Sequence, residues 1–192
     1  MARWQPGATQ RLVAAAVDLF AEQGYDATTV AQIAERAGVT RSTFFRHFSD
    51  KRELLVAGQE TLSRLLADGI TEAPANASPL EAVAAGLKRA SGAMGPANRE
   101  LGPRIKAAVA ASTELQERDT LKSVGLAAAM TAALVARGVP EPTAHLAGEM
   151  GVLAFKRGYA RWSEGDRDDG TGLAQHALAA LDELRTATAS LG

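Results

Sequence analysis

The sequence predicts an all-α protein of about nine helices, and three observations carry that prediction. Alanine and leucine dominate, with apolar residues recurring three and four apart. No sustained alternating run of Val, Ile, Thr and aromatics reads as a strand. Glycine and proline cut the chain into segments of helical length, several opening on a Ser, Thr or Asp cap. The 192 residues, 46% of them hydrophobic, are enough to bury a core, and that composition excludes general disorder.

The elements follow in order. Gly7-Ala8-Thr9 precedes a first helix over about 9–23, ended by Gly24, with Leu12, Ala16, Leu19 and Phe20 on its buried face. Thr28-Thr29 opens a short second helix to about Ala37, where Val30, Ile33, Ala34 and Ala37 form one apolar stripe. Gly38 suits a tight turn of positive φ. A third helix covers about 40–48, with Phe44 and Phe48 at i, i+4. Asp50 and Glu53 form a capping box for a long fourth helix reaching about Gly69. After a linker over 71–78, Ser78-Pro79-Leu80-Glu81 restarts a helix with cap, N1 proline and N3 glutamate. Gly95, Pro96, Gly102 and Pro103 break the stretch 92–103. Helices follow near 104–111, 115–137, 142–163 and 173–188, the last two separated by a polar loop over 164–172.

Six of the nine aromatic residues (Trp4, Phe20, Tyr25, Phe44, Phe45 and Phe48) lie in the first 48 positions. A small domain needs bulky side chains to pin its helices. The skew predicts a compact module over 1–53 and a larger alanine- and leucine-rich module over 54–192.

The second and third helices have the length and order of a helix-turn-helix, whose second helix enters the major groove by its N-terminal residues. Phe44 and Phe48 anchor one face of that helix. Thr40, Arg41, Ser42, Thr43, Arg46 and His47 remain on the rest, all hydrogen-bond donors, and no acidic residue occurs from Ala37 to Ser49. Net charge is only -1, yet positions 36–52 hold Arg36, Arg41, Arg46, Lys51 and Arg52 against Asp50 alone. Positive charge is placed where a phosphate backbone would lie. A merely solvated helix face is the plainer reading of one short helix taken alone.

The run Ala16, Phe20, Gly24-Tyr25, Thr28-Thr29-Val30, Ile33-Ala34, Ala37-Gly38-Val39-Thr40, Thr43-Phe44-Phe45-Arg46-His47-Phe48, Lys51 and Leu54 resembles the signature of TetR-family bacterial transcriptional regulators over residues 9–55. The resemblance implies an N-terminal three-helix DNA-binding domain, a fourth helix from about 51 as linker, a C-terminal helical domain for ligand binding and dimerisation, and a repressor released from operator DNA by a small molecule. Thr29 and Thr40 correspond to backbone-contacting helix starts. Arg41, Ser42 and Thr43 correspond to base-reading positions, and Arg46, His47 and Lys51 to positions near phosphates. The family usually has Tyr where this chain has Phe45, which lacks the phosphate-touching hydroxyl but retains a surface for a thymine methyl or sugar. For Arg3 and Trp4, a minor-groove arm and a disordered tail are both open.

In the second module Phe155, Tyr159 and Trp162 form an aromatic stripe. The resemblance implies pairing of the last two helices with their two-fold mates, placing Gly151, Gly158, Trp162, Leu173, Ala177, Leu181 and Leu184 at a homodimer interface. Pocket candidates are Met94, Arg104, Ile105, Val109, Leu126, Met130, Leu134, Met150, Leu153 and Phe155, apolar but for an anion-anchoring Arg104, with core packing as the plainer reading. The layout loosely resembles a TetR subgroup linked to acyl-CoA-like ligands, so the effector expected is small and largely apolar.

Other chemistry finds little support. Cysteine is absent, excluding thiol catalysis, disulfides and zinc ribbons. His145 and Glu149 stand at i, i+4 without a third metal ligand in view. The acidic run over 166–169 misses the register of a calcium loop. No nucleophile–base grouping stands out, and neither an enzyme nor a cofactor is expected. The uncharged stretch 124–136 falls short of the ~20 residues of a membrane span, and the apolar run 12–17 is stopped by Asp18, unlike a signal peptide. A cytoplasmic protein with no membrane partner is expected. The rival from another class is an all-helical interaction or adaptor module whose helix-turn-helix has lost DNA binding.

Overall fold

The computed structural model describes residues 7–165 and 170–191. Among them lie nine α-helices and no strand: α1 (Ala8–Gln23), α2 (Val30–Arg36), α3 (Arg41–His47), α4 (Gln59–Thr71), α5 (Pro79–Gly92), α6 (Pro96–Ala110), α7 (Thr113–Ala136), α8 (Glu141–Glu164) and α9 (Leu173–Ala189). They divide into two units. One holds the described residues up to Ala57 with Pro103–Leu121; the other holds Gly58–Gly102 and the described residues from Lys122 onward.

The first unit is pinned by bulky side chains. Leu12 and Phe20 of α1, Ile33 and Ala34 of α2, and Phe44 and Phe48 around α3 are all buried. Phe20 meets Tyr25 at 5.1 Å between ring centroids, and Phe44 meets Phe48 at 5.8 Å. Ala108 and Leu115 enter the same core, and Leu115 is fully buried, a side chain that stabilises by roughly 1.5–3 kcal/mol. Arg104 pairs with Asp18 of α1. The residues 103–121 are thus an addition to the head that the periodicity of a helical apolar pattern did not announce.

Two expected elements differ. The long fourth helix from Asp50 is replaced by a 3₁₀ turn, Lys51–Val56, and α4 begins only after Gly58. Gly58 sits at φ 78, a left-handed conformation that glycine adopts without steric cost and that ends any continuous helix. In the other direction, α6 runs unbroken through Gly102-Pro103, where a break was expected. Proline crowds the Cβ of the preceding residue. Gly102 has none, and the freed space is used in packing: a Cβ there would fall 2.5 Å from Ser163 Cβ.

The second unit is built on close helix approach. Ser78 and Glu81 form the expected capping box of α5, with Ser78 N donating to Glu81 Oε2 at 2.7 Å. The α4 and α5 backbones meet at Gly69 and Gly86, where a Cβ on Gly86 would lie 2.6 Å from the Leu66 carbonyl oxygen. The α8 and α9 backbones meet at Gly158 and Ala177, with a hypothetical Cβ 2.5 Å from Ala177 Cα. Leu66, Leu87, Met130 and Leu134 are fully buried between these helices. By length and composition α7 qualifies as a membrane span, contrary to the expectation from its uncharged stretch. It nonetheless turns Leu126, Met130 and Leu134 into the core and leaves Val124 and Val135 exposed.

Candidate nucleic-acid interface and ligand cleft

Local chemistry sets the geometry of α2 and α3. Thr29 caps α2 reciprocally: Gln32 N donates to Thr29 Oγ1 at 3.3 Å, and Thr29 N donates to Gln32 Oε1 at 2.8 Å. Gly38 takes φ 66, and the amides of Gly38 and Val39 donate back to Glu35 and Ala34 carbonyls, closing the turn. Thr40 then caps α3 by accepting from Thr43 N at 3.1 Å. The two threonines named as helix starts thus do structural work at the amide ends of both helices.

With Phe44 and Phe48 buried, α3 presents Arg41, Ser42, Phe45, Arg46 and His47 outward, with Thr43 half-buried. Phe45 is 50% exposed, a large apolar ring left in solvent beside two arginines. Its ring centroid lies 5.4 Å from that of Phe44, with the two planes near perpendicular at 80°. His47 Nδ1 lies 3.4 Å from Thr9 Oγ1.

The five cations counted in the sequence are not equivalent. Arg36 makes a two-pronged pair with Glu22 at 2.8 Å, and that guanidinium holds the Glu22 carboxyl below the usual range. Arg52 is bound by Asp50 at 2.6 Å, depressing the Asp50 pKa, and also lies 3.7 Å from Glu114. Lys51 Nζ donates to the carbonyls of Tyr25 at 2.6 Å and Thr28 at 2.9 Å. Among the described residues, Arg41 and Arg46 alone of the five have no acidic or carbonyl partner within the chain. Both stand on the outward face of α3.

Two residues of this unit carry interactions that the sequence did not flag. The Tyr25 hydroxyl donates to Glu114 Oε1 at 3.2 Å. Burial, and then the Glu114 carboxylate, push the Tyr25 pKa well up. The partners are 89 positions apart, and no local pattern announces such a pair.

The second unit contains a cleft of about 300 Å³ lined by Met94, Gly95, Pro96, Arg99, Glu100 and Trp162. That is the small end of ligand-pocket volumes, ~300–1,000 Å³. The Arg99 guanidinium lies 5.7 Å from the Trp162 ring centroid. Tyr159, beside Trp162, donates to the Asn98 carbonyl at 2.5 Å, and burial pushes its pKa up to about 12. Of the ten pocket candidates, Met94 lines this cleft. Leu126, Met130, Leu134, Met150 and Phe155 are buried core, Leu153 is exposed, and Arg104, Ile105 and Val109 belong to the first unit.

The expected interface residues are already used within the chain. Trp162, Leu173, Ala177 and Leu181 are buried, Gly158 packs on Ala177, Gly151 packs on Met130 and Val83, and Leu184 packs against the same core. The outward stripe of α8 reads instead Leu146, Glu149, Leu153 and Arg157, with Ala160 half-buried at its end. Arg3, Trp4 and the acidic run 166–169 lie outside the described residues. Among the described residues, no three metal-ligating side chains converge.

The family model for bacterial regulatory proteins of the tetR family matches residues 12–57. The chain is 35% identical over 95 residues to the HTH-type transcriptional regulator TcmR of Streptomyces glaucescens, covering 45% of this chain and 42% of that protein. It therefore spans less than half the length of that relative. Its fold is similar to that of a chain from Syntrophomonas wolfei assigned to the same family, at TM-score 0.62 and 18% identity over 96% of both chains. It is also similar to Bacillus subtilis FadR, solved in complex with stearoyl-CoA, at TM-score 0.55 and 20% identity over 91% of this chain and 96% of that one.

Proposed function

Residues 12–57 belong to the tetR family of bacterial regulatory proteins, and from that premise we propose that the whole chain is a cytoplasmic, homodimeric transcriptional regulator. It represses by binding operator DNA and is released by a small, largely apolar ligand. The observation that carries the reading is the outward face of α3. Two uncommitted arginines, Arg41 and Arg46, flank an exposed aromatic on a helix whose other face is locked by buried Phe44. In a helix-turn-helix the N-terminal residues of the second helix meet base edges. Arg41, Ser42 and Thr43 occupy that place, with Arg41 suited to a two-pronged bond to guanine. Phe45 offers its ring to a thymine methyl. Arg46 and His47, with the starts of α2 and α3 at Thr29 and Thr40, lie toward the phosphates.

The homodimer is read from α8. Its outward stripe is centred on Leu153: in an antiparallel pair about that residue, Glu149 of one copy faces Arg157 of the other. Leu146 is 56% exposed and Leu153 41%, apolar surface that a second copy would cover. The effector class is read from the cleft, where Met94, Pro96 and Trp162 lie beside Arg99 and Glu100. Such a lining suits an apolar chain bearing an anionic end, and FadR's complex with stearoyl-CoA supports an acyl-CoA-like ligand. The adaptor reading leaves the arginines and Phe45 of α3 unexplained.

Selection from a random duplex pool tests the first part: the protein should enrich a two-fold symmetric site, and no enrichment at low salt would favour the adaptor. Lauroyl-CoA and stearoyl-CoA, titrated against the selected duplex, test the second. Release at micromolar concentration is expected, and by reciprocity the duplex should weaken acyl-CoA binding by the same factor.

A further inference from the structure

Lys51 stands at the first position of the 3₁₀ turn that leaves the head. Its ammonium carries three N–H donors. One meets the Tyr25 carbonyl at 2.6 Å, one the Thr28 carbonyl at 2.9 Å, and the third faces the Asp26 carbonyl at 3.4 Å. The same nitrogen lies 4.1 Å from the centroid of the Tyr25 ring. Every donor of the group is directed into the chain, and the charge rests on an aromatic face.

The segment it grips has a position in the reading unit. Residues 24–28 join α1 to α2, and Thr28 directly precedes the Thr29 cap. Thr28 is 1% exposed, and its hydroxyl donates to the Gly24 carbonyl at 2.7 Å. Gln23 Nε2 donates to the Ala27 carbonyl at 3.3 Å and to Thr28 Oγ1 at 3.2 Å. The entry angle of α2 is therefore set by this loop, and α2 packs directly on α3. Three loop carbonyls point the same way, and a cation fills the space between them.

Building on the DNA-binding reading above, we propose that Lys51 is a positioning residue for operator recognition: it clamps the α1–α2 loop and so fixes α2 and α3, and does not serve as a phosphate contact. The two roles differ in what they require. A phosphate contact needs a positive charge near the duplex, which arginine supplies as well as lysine. A carbonyl clamp needs a compact ammonium with three donors, which the planar fork of arginine cannot reproduce.

Two measurements separate them. The first uses the free wild-type protein: pulse acetylation with mass-spectrometric readout at Lys51 and at the exposed Lys88. Lys51 should react at least about tenfold more slowly with no DNA present, because hydrogen bonds to a charged group must open first. The second uses anisotropy on the pool-selected duplex across a salt series, with Lys51→Met and Lys51→Arg. Both variants should bind about tenfold more weakly, arginine should fail to rescue, and the log-log salt slope should stay at its wild-type value. A Lys51 as reactive as Lys88 in free protein and shielded only by duplex would overturn the proposal. So would wild-type affinity for Lys51→Arg with a slope shallower by about 2 per dimer for Lys51→Met. If Lys51→Met does not fold, the acetylation rates and Lys51→Arg decide. If the wild type selects no duplex, the DNA-binding reading fails while the acetylation result still judges the clamp.

Discussion

The two units solve one problem, holding short or alanine-rich helices together, by opposite means. The head uses large side chains and side-chain bonds to loop carbonyls: Phe44, Phe20 and Tyr25 fill it, and Arg11, Lys51 and Gln23 bind the carbonyls of Ala37, Tyr25 and Ala27. The second unit removes side chains where helices cross, at Gly69 with Gly86 and at Gly158 with Ala177, so that backbones touch. A head of short helices has little surface to bury per residue and must use big groups. Long helices gain enough from many small contacts to accept glycine, at roughly 1 kcal/mol each against alanine. The difference teaches where each unit is fragile: the head to truncation, the second unit to enlargement.

Truncation in the head should have the largest effect. Phe44→Ala removes a wholly buried ring and is expected to cost about 4 kcal/mol. Urea unfolding followed by circular dichroism should show it, with duplex binding lost in parallel. A loss below ~1 kcal/mol would mean that the head is not pinned by its aromatics. Enlargement in the second unit comes next. Gly86→Val drives carbon atoms against the Leu66 carbonyl of the neighbouring backbone and should cost about 3 kcal/mol. The control is Gly95→Ala, where nothing lies within 4 Å of the new Cβ and the unfolding midpoint should hardly move.

A smaller effect depends on pH. Tyr159 ionises at about 12 in the folded protein, because burial disfavours the phenolate, and at about 10 when unfolded. Between these values the unfolded chain holds fewer protons, so stability falls as pH rises from about 10 to about 12. Tyr159→Phe should flatten that fall relative to wild type, measured by urea midpoints across the alkaline range; identical slopes would show that Tyr159 is not in its buried setting. The smallest effect is expected at the surface of the head. Glu22→Gln unpairs Arg36 in a solvent-exposed ion pair, and the melting temperature should not change measurably. Binding to random duplex should tighten slightly, since one more cation becomes available.

Most of the helical layout was legible because caps and periodicity are local. Ser78-Pro79-Leu80-Glu81 and Thr29 through Gln32 start helices in the structure as their chemistry requires. The departures were non-local or lay at glycine. The 3₁₀ turn Lys51–Val56 replaces the first part of an expected helix, because the Leu54–Leu66 apolar spacing conceals Gly58 at positive φ. Gly102-Pro103 reads as a break, yet tertiary packing against Ser163 carries α6 through it. At the candidate site, the exposure of Arg41, Ser42, Arg46 and His47 followed from the Phe44 and Phe48 spacing, while that spacing did not single out the exposed Phe45 or the half-buried Thr43. Which cations remain uncommitted did not follow, because Glu22, Glu114 and the carbonyls of Tyr25 and Thr28 come from remote positions. Sequence counts charge; only the fold shows that Arg36, Lys51 and Arg52 are engaged and that Arg41 and Arg46 are not.

That division of the cations is tested most directly by base preference at Arg41. The measurement is anisotropy of wild type and Arg41→Ala on the pool-selected duplex and on single-base variants across each half-site. The account predicts that Arg41→Ala weakens the parent site and loses discrimination at one base pair per half-site, by roughly 1–3 kcal/mol, while other positions keep their order. An Arg41→Ala protein with the full wild-type base preference would contradict it, because the uncommitted Arg41 would then not read the duplex.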